Sequence, residues 1–205
     1  MERYKCFKNS RDYQSFFESL NPMKIGEGSE GQAFLFSGDK VIKIFNGPSK
    51  PNVADEEKET IIMAQDYSVQ TFLLPIQLHI YDNKVVGYVS NFFPNNILGF
   101  KAPYNGNIFQ INFSNLLKAR EKMIRDTILL SDNNIAICDL DFNLLFDNRK
   151  LVAIDTFDYS IDSNVTLEDN IKQLDRAILR ELHYHDISFK PDYKESVEYN
   201  LKRVK

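Results

Sequence analysis

The sequence has 205 residues and only two cysteines, Cys6 and Cys138. Two cysteines do not make a disulfide framework, and they do not supply the clustered ligands of a zinc site. No apolar run approaches the roughly 18 residues that a membrane helix needs. The first residues, Met1-Glu2-Arg3-Tyr4, do not resemble a secretory signal. These absences predict a reduced, cytoplasmic protein with no membrane partner, and delivery into a host cell by a signal-free route stays open.

Long basic runs are also absent. Lys and Arg together number 25 against 29 Asp and Glu, and the most basic stretch is the end of the chain, residues 202–205. Modules that bind nucleic acid usually carry a basic face, so nucleic acid is not an expected partner. Hydrophobic residues make up 43% of the chain and charged residues 26%, which is ordinary globular composition. We therefore expect a single domain over residues 1–205, working as a monomer.

The most informative stretch runs from Lys24 to Phe45, KIGEGSEGQAFLFSGDKVIKIF. Its glycines Gly26, Gly28 and Gly31 form the pattern G-x-G-x-x-G, which fits both a dinucleotide-binding turn and a kinase phosphate loop. A dinucleotide-binding turn must open a helix. Here β-branched and aromatic runs follow the glycines, separated by turn residues 37–39. No Gly-Lys-Ser/Thr follows either, which excludes a P-loop. The stretch therefore predicts three strands, with the glycine loop between the first two.

Lys43 stands in the middle of the third predicted strand, in the run Val41-Ile42-Lys43. This arrangement resembles the nucleotide-binding hairpin of the protein-kinase superfamily, in which a glycine-rich loop precedes a strand that carries V-A-I-K. Glycines let the backbone approach phosphates without Cβ clashes and direct N–H groups toward them. The resemblance implies that Gly26, Gly28 and Gly31 cover the phosphates of ATP. It also implies that Lys43 reaches the α- and β-phosphates.

The same resemblance implies an α+β fold with two lobes. The N-lobe, about residues 1–93, is expected to hold a five-stranded antiparallel sheet and one helix; the C-lobe, about residues 94–205, is shortened and mostly helical. A short helix capped by Ser10 precedes the glycine unit, and the runs TFLLPIQLHIY and KVVGYVSNFF complete the sheet. The hinge after the last strand, at Asn91 and Phe92, is expected to bind adenine through its backbone.

The single helix of the N-lobe is expected at residues 52–67, where acidic residues occupy the early turns. In kinases this helix supplies a glutamate that pairs with the lysine. Glu56, Glu57 and Glu59 are the candidates. Glu59 is preferred because it stands three residues before Ile62 and so borders the apolar face, and Glu56 is the second choice.

A second unit, residues 134–159, reads as an apolar run, a polar loop, a hairpin of strands 144–146 and 151–154, and then Asp155. Kinases place a catalytic Asp, an Asn and a metal-binding Asp on such a unit. Mg²⁺ takes hard oxygen ligands, and a hairpin can return its two flanking residues to one point. The resemblance thus implies that Asn143 and Asp155 bind Mg²⁺.

The second unit departs from the family pattern in three places. Ile137-Cys138 replaces His-Arg, the gap from Asp139 to Asn143 is one residue short, and Asp155-Thr156-Phe157 replaces Asp-Phe-Gly. Asp139 is assigned as the catalytic base because it keeps the Asp-Leu pair, with Asp141 as the alternative. Phosphoryl transfer depends more on positioning and charge neutralisation than on proton abstraction, so the missing His-Arg is compatible with activity.

Two long helices are expected in the C-lobe, at residues 113–130 and 167–182, and a last one at residues 191–203. Asp169, near the start of the second, is expected to hydrogen-bond to the catalytic loop, as an Asp on the corresponding kinase helix does. Only 50 residues follow Asp155, and no Ala-Pro-Glu motif occurs among them. The resemblance is therefore to a minimal kinase, of a kind known among bacterial and phage proteins and secreted effectors.

Together these features predict an ATP- and Mg²⁺-dependent phosphotransferase, a minimal Ser/Thr protein kinase that acts on an unidentified protein. Three alternatives stay open. The altered catalytic loop fits a nucleotide-binding pseudokinase that works as a regulatory module. The short C-lobe motivates a small-molecule kinase, and a nucleotidyl transferase would use the same fold.

Overall fold

A computed structural model of the chain describes residues 2–46, 64, 69–93 and 112–184. Ten strands and three helices occur in this part of the chain. In order they are β1 (Tyr4–Phe7), α1 (Ser10–Ser19), β2 (Met23–Glu27), β3 (Gly31–Phe36), β4 (Lys40–Phe45), β5 (Gln77–Tyr81), β6 (Lys84–Asn91), α2 (Phe113–Asp132), β7 (Ile135–Ala136), β8 (Leu144–Phe146), β9 (Leu151–Ala153), β10 (Ser160–Ile161) and α3 (Leu167–Tyr184). A 3₁₀ turn, Thr156–Asp158, lies between β9 and β10. The expected helices at 52–67 and 191–203, with Glu56, Glu57 and Glu59, lie outside the described residues.

The main sheet has six strands in the order β1-β5-β6-β4-β3-β2. Four of its five pairings are antiparallel, and β1 pairs with β5 in parallel. The prediction of a five-stranded, wholly antiparallel sheet was therefore wrong by one strand. Tyr4 lies opposite Leu78 and Phe7 opposite Tyr81, so the start of the chain covers the open edge of β5. A four-residue strand without clear alternation carries too weak a local pattern to be recognised.

Strand β1 and helix α1 pack aromatic side chains around His79 on β5. The rings of Phe7, Tyr13 and Phe16 all lie edge-on to the imidazole, with centroids 5.3–5.7 Å away. His79 is fully buried, and burial lowers its pKa to about 4, so it is a neutral core residue at neutral pH. Asn9, and not Ser10, caps the helix, because its side-chain oxygen accepts a hydrogen bond from the backbone N–H of the third helical residue at 2.9 Å.

Local turn chemistry connects the strands where the sequence predicts it. Asp82 and Asn83 both have positive φ, 51° and 55°, as the two-residue turn between β5 and β6 requires. Gly31 begins β3 where the strand meets β4, and a Cβ at that position would overlap the carbonyl oxygen of Ile44. The third glycine of the loop is thus required by strand packing.

The second half of the chain packs around α2 and α3. Their apolar faces share one core with the β8–β9 hairpin, and its fully buried members include Leu116, Met123, Leu130 and Leu174. The buried pair Arg120–Asp175 joins the two helices through hydrogen bonds of 2.5 and 2.7 Å. Among the described residues no helix is both long and apolar enough to cross a membrane.

Two backbone connections link this half to the sheet. Ala153 at the end of β9 pairs with Phe72 in a parallel bridge; its N–H donates to Thr71 at 2.7 Å, and its carbonyl accepts from Leu73 at 2.9 Å. Strands β7 and β10 pair with each other, so the chain on both sides of the hairpin is held together. These connections accompany the contact of Asp155 with Lys43 on β4.

Candidate active site

Lys43 and Asp155 form an ion pair at the centre of the molecule. Lys43 projects from the middle of β4, and its side chain is 12% exposed. Asp155 lies two residues after the end of β9 and has left-handed backbone angles, φ 56° and ψ 48°. Such angles are uncommon for a residue other than glycine, and they mark a position held by its surroundings.

Tyr88 lies directly opposite Lys43 in the antiparallel pairing of β4 with β6, so the two side chains share one face of the sheet. The Tyr88 hydroxyl donates a hydrogen bond of 3.0 Å to Oδ1 of Asp155, the oxygen that Lys43 also contacts. Burial, followed by the nearby Asp155 charge, raises the pKa of the Tyr88 phenol well above its ordinary value. The phenol is therefore a neutral donor over the physiological range.

Phe157 anchors the segment that follows Asp155. Its ring stacks on Tyr88 with a centroid distance of 5.3 Å and an interplanar angle of 9°, and it also contacts Phe45 at 5.0 Å. Thr156, which is fully buried, donates its hydroxyl to the carbonyl of Leu73 at 3.1 Å. Thr156 and Phe157, which replace Phe-Gly of the kinase motif, are thus held by Leu73 and by the aromatic rings of β4 and β6.

Asn143 closes the loop that begins at Asp139. Its side-chain N–H donates to the Asp139 carbonyl at 2.7 Å and lies 3.4 Å from Oδ2 of the same residue. The backbone N–H of Ile154 donates to the Asn143 carbonyl at 2.8 Å, which brings Asn143 beside Asp155. Asp139 and Phe142 both have positive φ, 49° and 63°. Two left-handed residues thus lie within the short loop from Asp139 to Asn143.

Several carboxylates lie close enough to the Asp139–Asn143 loop to affect the pKa of Asp139. Loss of solvent around the Asp139 carboxyl raises its pKa, and the nearby charges of Asp155, Asp158, Glu30 and Asp141 raise it further. Lys43 lies within the same group. Because like charges oppose ionisation, this arrangement favours the arrival of a cation.

Asp139 and Asp141, the two candidates for the catalytic base, face different partners. Asp141 forms an ion pair with Arg180 of α3. Asp139 is held by Asn143 and lies in the electrostatic field of Asp155. The geometry therefore favours Asp139 over Asp141 as the group beside the expected metal position.

The glycine loop brings a carboxylate to the lysine. Gly28 N–H donates to the Gly31 carbonyl at 2.9 Å, and Asn46 bonds to the backbone carbonyls of Ser29 and Glu30 at 3.1 and 2.7 Å. The loop is thus folded against the end of β4, and Oε2 of Glu30 lies 3.3 Å from Nζ of Lys43. Sequence reasoning missed Glu30, because it looked for the partner of the lysine only on the helix at 52–67.

The two predicted hinge residues differ in their surroundings. Asn91 ends β6, and the backbone N–H of Phe92 donates to the Asp39 carbonyl at 2.8 Å in the turn between β3 and β4. Both residues border a cavity of about 440 Å³ that extends to Lys150 on the β8–β9 hairpin. The Phe92 N–H thus has a backbone partner, and adenine binding through the backbone at Asn91 and Phe92 stays a prediction.

Comparison with known proteins identifies a likeness in fold. No protein-family model and no curated protein sequence matches the chain significantly. Among solved structures, the Cydia pomonella granulovirus kinase PK-1 matches with a TM-score of 0.53 and 18% sequence identity. The match covers 76% of this chain and 61% of that kinase. The chain has a protein-kinase-like fold. At this identity the likeness concerns the fold alone, and the expected bacterial or phage type stays a prediction.

The segment that leads into the Asp139 loop is anchored by Asn170, and not by Asp169 as the sequence predicts. The buried Asn170 side chain accepts from the Ile137 N–H at 2.8 Å and donates to the Ile135 carbonyl at 2.9 Å. Asp169 instead accepts hydrogen bonds from Thr166 at the start of α3. An amide both donates and accepts, so it suits two backbone groups of opposite kind; this was the signal available in the sequence.

Asp155 and Asn143, the residues expected to bind Mg²⁺, each have an oxygen that the contacts described above do not use. Lys43 and Tyr88 both contact Oδ1 of Asp155, so Oδ2 is not needed for either bond. Asn143 uses its amide nitrogen on Asp139, which leaves its oxygen for a cation. No group of three or more His, Cys, Asp or Glu in the described ranges is arranged to bind a metal. One carboxylate and one amide oxygen nevertheless suffice where phosphate and water complete the shell.

Proposed function

We propose that the protein is an ATP- and Mg²⁺-dependent phosphotransferase that acts on Ser or Thr hydroxyls of a protein substrate. The observation that carries the proposal is the meeting of Lys43, from the glycine hairpin, with Asp155, beside Asn143. Phosphoryl transfer needs a lysine that binds phosphate close to oxygen ligands that bind Mg²⁺. The reason is that its catalysis is largely positioning and charge stabilisation.

In this proposal each residue has one task. The backbone at Gly26, Gly28 and Gly31 covers the phosphates, and Lys43 neutralises the α- and β-phosphates. Asn143 and Asp155 hold Mg²⁺, which neutralises charge on the β- and γ-phosphates when bound. Glu59, outside the described residues, remains the proposed helical partner of Lys43. The backbone at Asn91 and Phe92 is the proposed adenine contact.

Asp139 orients the acceptor hydroxyl and takes its proton. The hydroxyl oxygen bonds to the γ-phosphorus as the bond from that phosphorus to the β–γ bridging oxygen breaks, and ADP leaves. We also propose that the protein is a cytoplasmic monomer with a single domain, whose two lobes meet near residues 93 and 94. The same proposal includes an origin as a bacterial or phage protein, or as an effector delivered to a host.

The test is transfer of label from γ-labelled ATP with Mg²⁺, with and without a cell lysate, beside Asp155→Ala. Label transferred by the wild type and not by the variant supports the proposal. Gel separation then distinguishes a protein acceptor from a small molecule. Equal labelling by both proteins would refute the assignment of Asp155.

A nucleotide-binding pseudokinase is the second candidate, and a specific contact favours it. Lys43 pairs with two carboxylates, Glu30 and Asp155, both of which ATP phosphates must displace or share. Absence of γ-label transfer, with ADP still raising the melting temperature, would support this candidate. Transfer of α-label alone would instead indicate a nucleotidyl transferase.

A further inference from the structure

We propose that Tyr88 is a positioning residue that fixes the Asp155 carboxylate so that Oδ1 faces the sheet and Oδ2 faces the cation. This inference rests on the proposed function and deepens it. It assigns a task to a strand residue outside the glycine loop, the lysine and the catalytic loop.

The first argument is strand register. Tyr88 lies opposite Lys43 on neighbouring antiparallel strands, so both side chains leave the same face and converge on one carboxylate oxygen. Two donors on one oxygen set the rotation of the carboxylate about its terminal bond. The second oxygen carries neither of these two bonds, and the neighbouring Ile154 N–H is bonded to the Asn143 carbonyl.

The second argument is rigidity. The Tyr88 ring is 4% exposed and lies nearly parallel to Phe157, at an interplanar angle of 9°. Phe157 is two residues after Asp155, and Thr156 between them is tied to Leu73. The donor and the carboxylate are therefore held by the same packed unit, which is how a supporting group keeps a ligand in its productive geometry.

The third argument separates Tyr88 from Lys43. The lysine is a flexible cation that also contacts Glu30, and in the proposed reaction it serves the phosphates. When nucleotide binds, Lys43 contacts the phosphates and its interaction with Asp155 weakens. The phenol has no such competing task, so it is the donor that keeps Asp155 in place during the reaction.

Tyr88→Phe tests the inference because it removes the hydroxyl and keeps the ring stack. The full-length protein is mixed with ADP, Mg²⁺ is titrated, and the midpoint of the metal-dependent rise in melting temperature is measured. Loss of one hydrogen bond to a charged group is expected to raise this midpoint about tenfold. The stabilisation by ADP without metal should not change. Tyr81→Phe, at the end of β5, is the matched control and should keep the wild-type midpoint.

A Tyr88→Phe midpoint equal to or below the wild-type value would overturn the inference while leaving the proposed function intact. Phe157→Leu is a second variant, which retains the hydroxyl and loosens the stack. It should raise the midpoint by a smaller factor, and a wild-type midpoint there would also count against the packed unit. Wild-type protein that shows neither Mg²⁺-dependent stabilisation nor label transfer would overturn both proposals together.

Kinetics provide an independent readout. If Tyr88 acts through Asp155, Tyr88→Phe lowers kcat at a fixed, limiting Mg²⁺ concentration. The kcat should return toward the wild-type value as Mg²⁺ is raised, with little change in the KM for ATP. A purely structural defect would lower activity at every Mg²⁺ concentration, and that pattern would overturn the inference.

Discussion

Lys43 and Asp155 are separated by 112 positions in the sequence, yet their side chains form an ion pair. The pair joins β4, the second strand after the glycine loop, to the segment that follows the β8–β9 hairpin. In the proposed function, a nucleotide held by the glycine loop would lie against both residues. The following predictions test the site formed around this pair.

Lys43→Met should reduce phosphoryl transfer by about 10²–10³-fold or more, because it removes a charge directed at the transferring phosphates. The measurement is the initial rate with γ-labelled ATP at saturating Mg²⁺. Lys40→Met is a suitable control, since Lys40 lies on the same strand and pairs with Asp39 in the adjoining turn. Full activity of Lys43→Met would remove the lysine from the mechanism.

Glu30→Gln should tighten the binding of ADP in the absence of metal by about two- to fivefold, because a carboxylate no longer competes with phosphate for Lys43. Isothermal titration calorimetry gives the affinity directly. Glu27→Gln is the matched control from the same loop, where Glu27 pairs with Lys24 at 2.6 Å on the exposed side. Weaker binding by Glu30→Gln would instead show that Glu30 helps to hold the lysine in place.

The acidic limb of the rate profile should lie above the ordinary pKa of an aspartate. The pKa of Asp139 is raised by desolvation and by surrounding carboxylates, so its required ionised form is lost at a higher pH as the solution is acidified. Asp158→Asn removes one of those charges and should move the limb of kcat/KM to lower pH. Glu168→Gln, exposed on α3 and paired with Lys172, should leave it unmoved. A shift to higher pH in Asp158→Asn would contradict the assignment of Asp139.

Asn170→Ala should lower the free energy of unfolding by about 2–4 kcal/mol, since it leaves the Ile137 N–H and the Ile135 carbonyl without their buried partner. Urea denaturation followed by circular dichroism measures the loss. Asp169→Asn, one position earlier and exposed, should cost much less stability because asparagine can also accept the Thr166 bonds. Equal losses in the two variants would mean that Asn170 does not anchor the loop.

Much of the local structure follows from the sequence. The glycine loop, the strands around it, the Asp82-Asn83 turn and the β8–β9 hairpin were predicted and are confirmed. Each depends on periodicity or turn chemistry within about ten residues, where neighbouring side chains decide the backbone conformation.

Tertiary structure decided the relationships that cross the chain. Three examples are the parallel pairing of β1 with β5, the contact of Tyr88 with Asp155 and the approach of Glu30 to Lys43. In each case the local sequence pattern does not indicate which distant segment is the partner. The choice of Asn170 over Asp169 was decided in the same way, because burial and not local propensity determines which side chain faces the loop. The sequence by itself thus determined which chemical groups the chain has and the hairpins that carry them. Packing of the sheet against α2 and α3 decided which groups meet, because burial and hydrogen bonding across the core outweigh local preference.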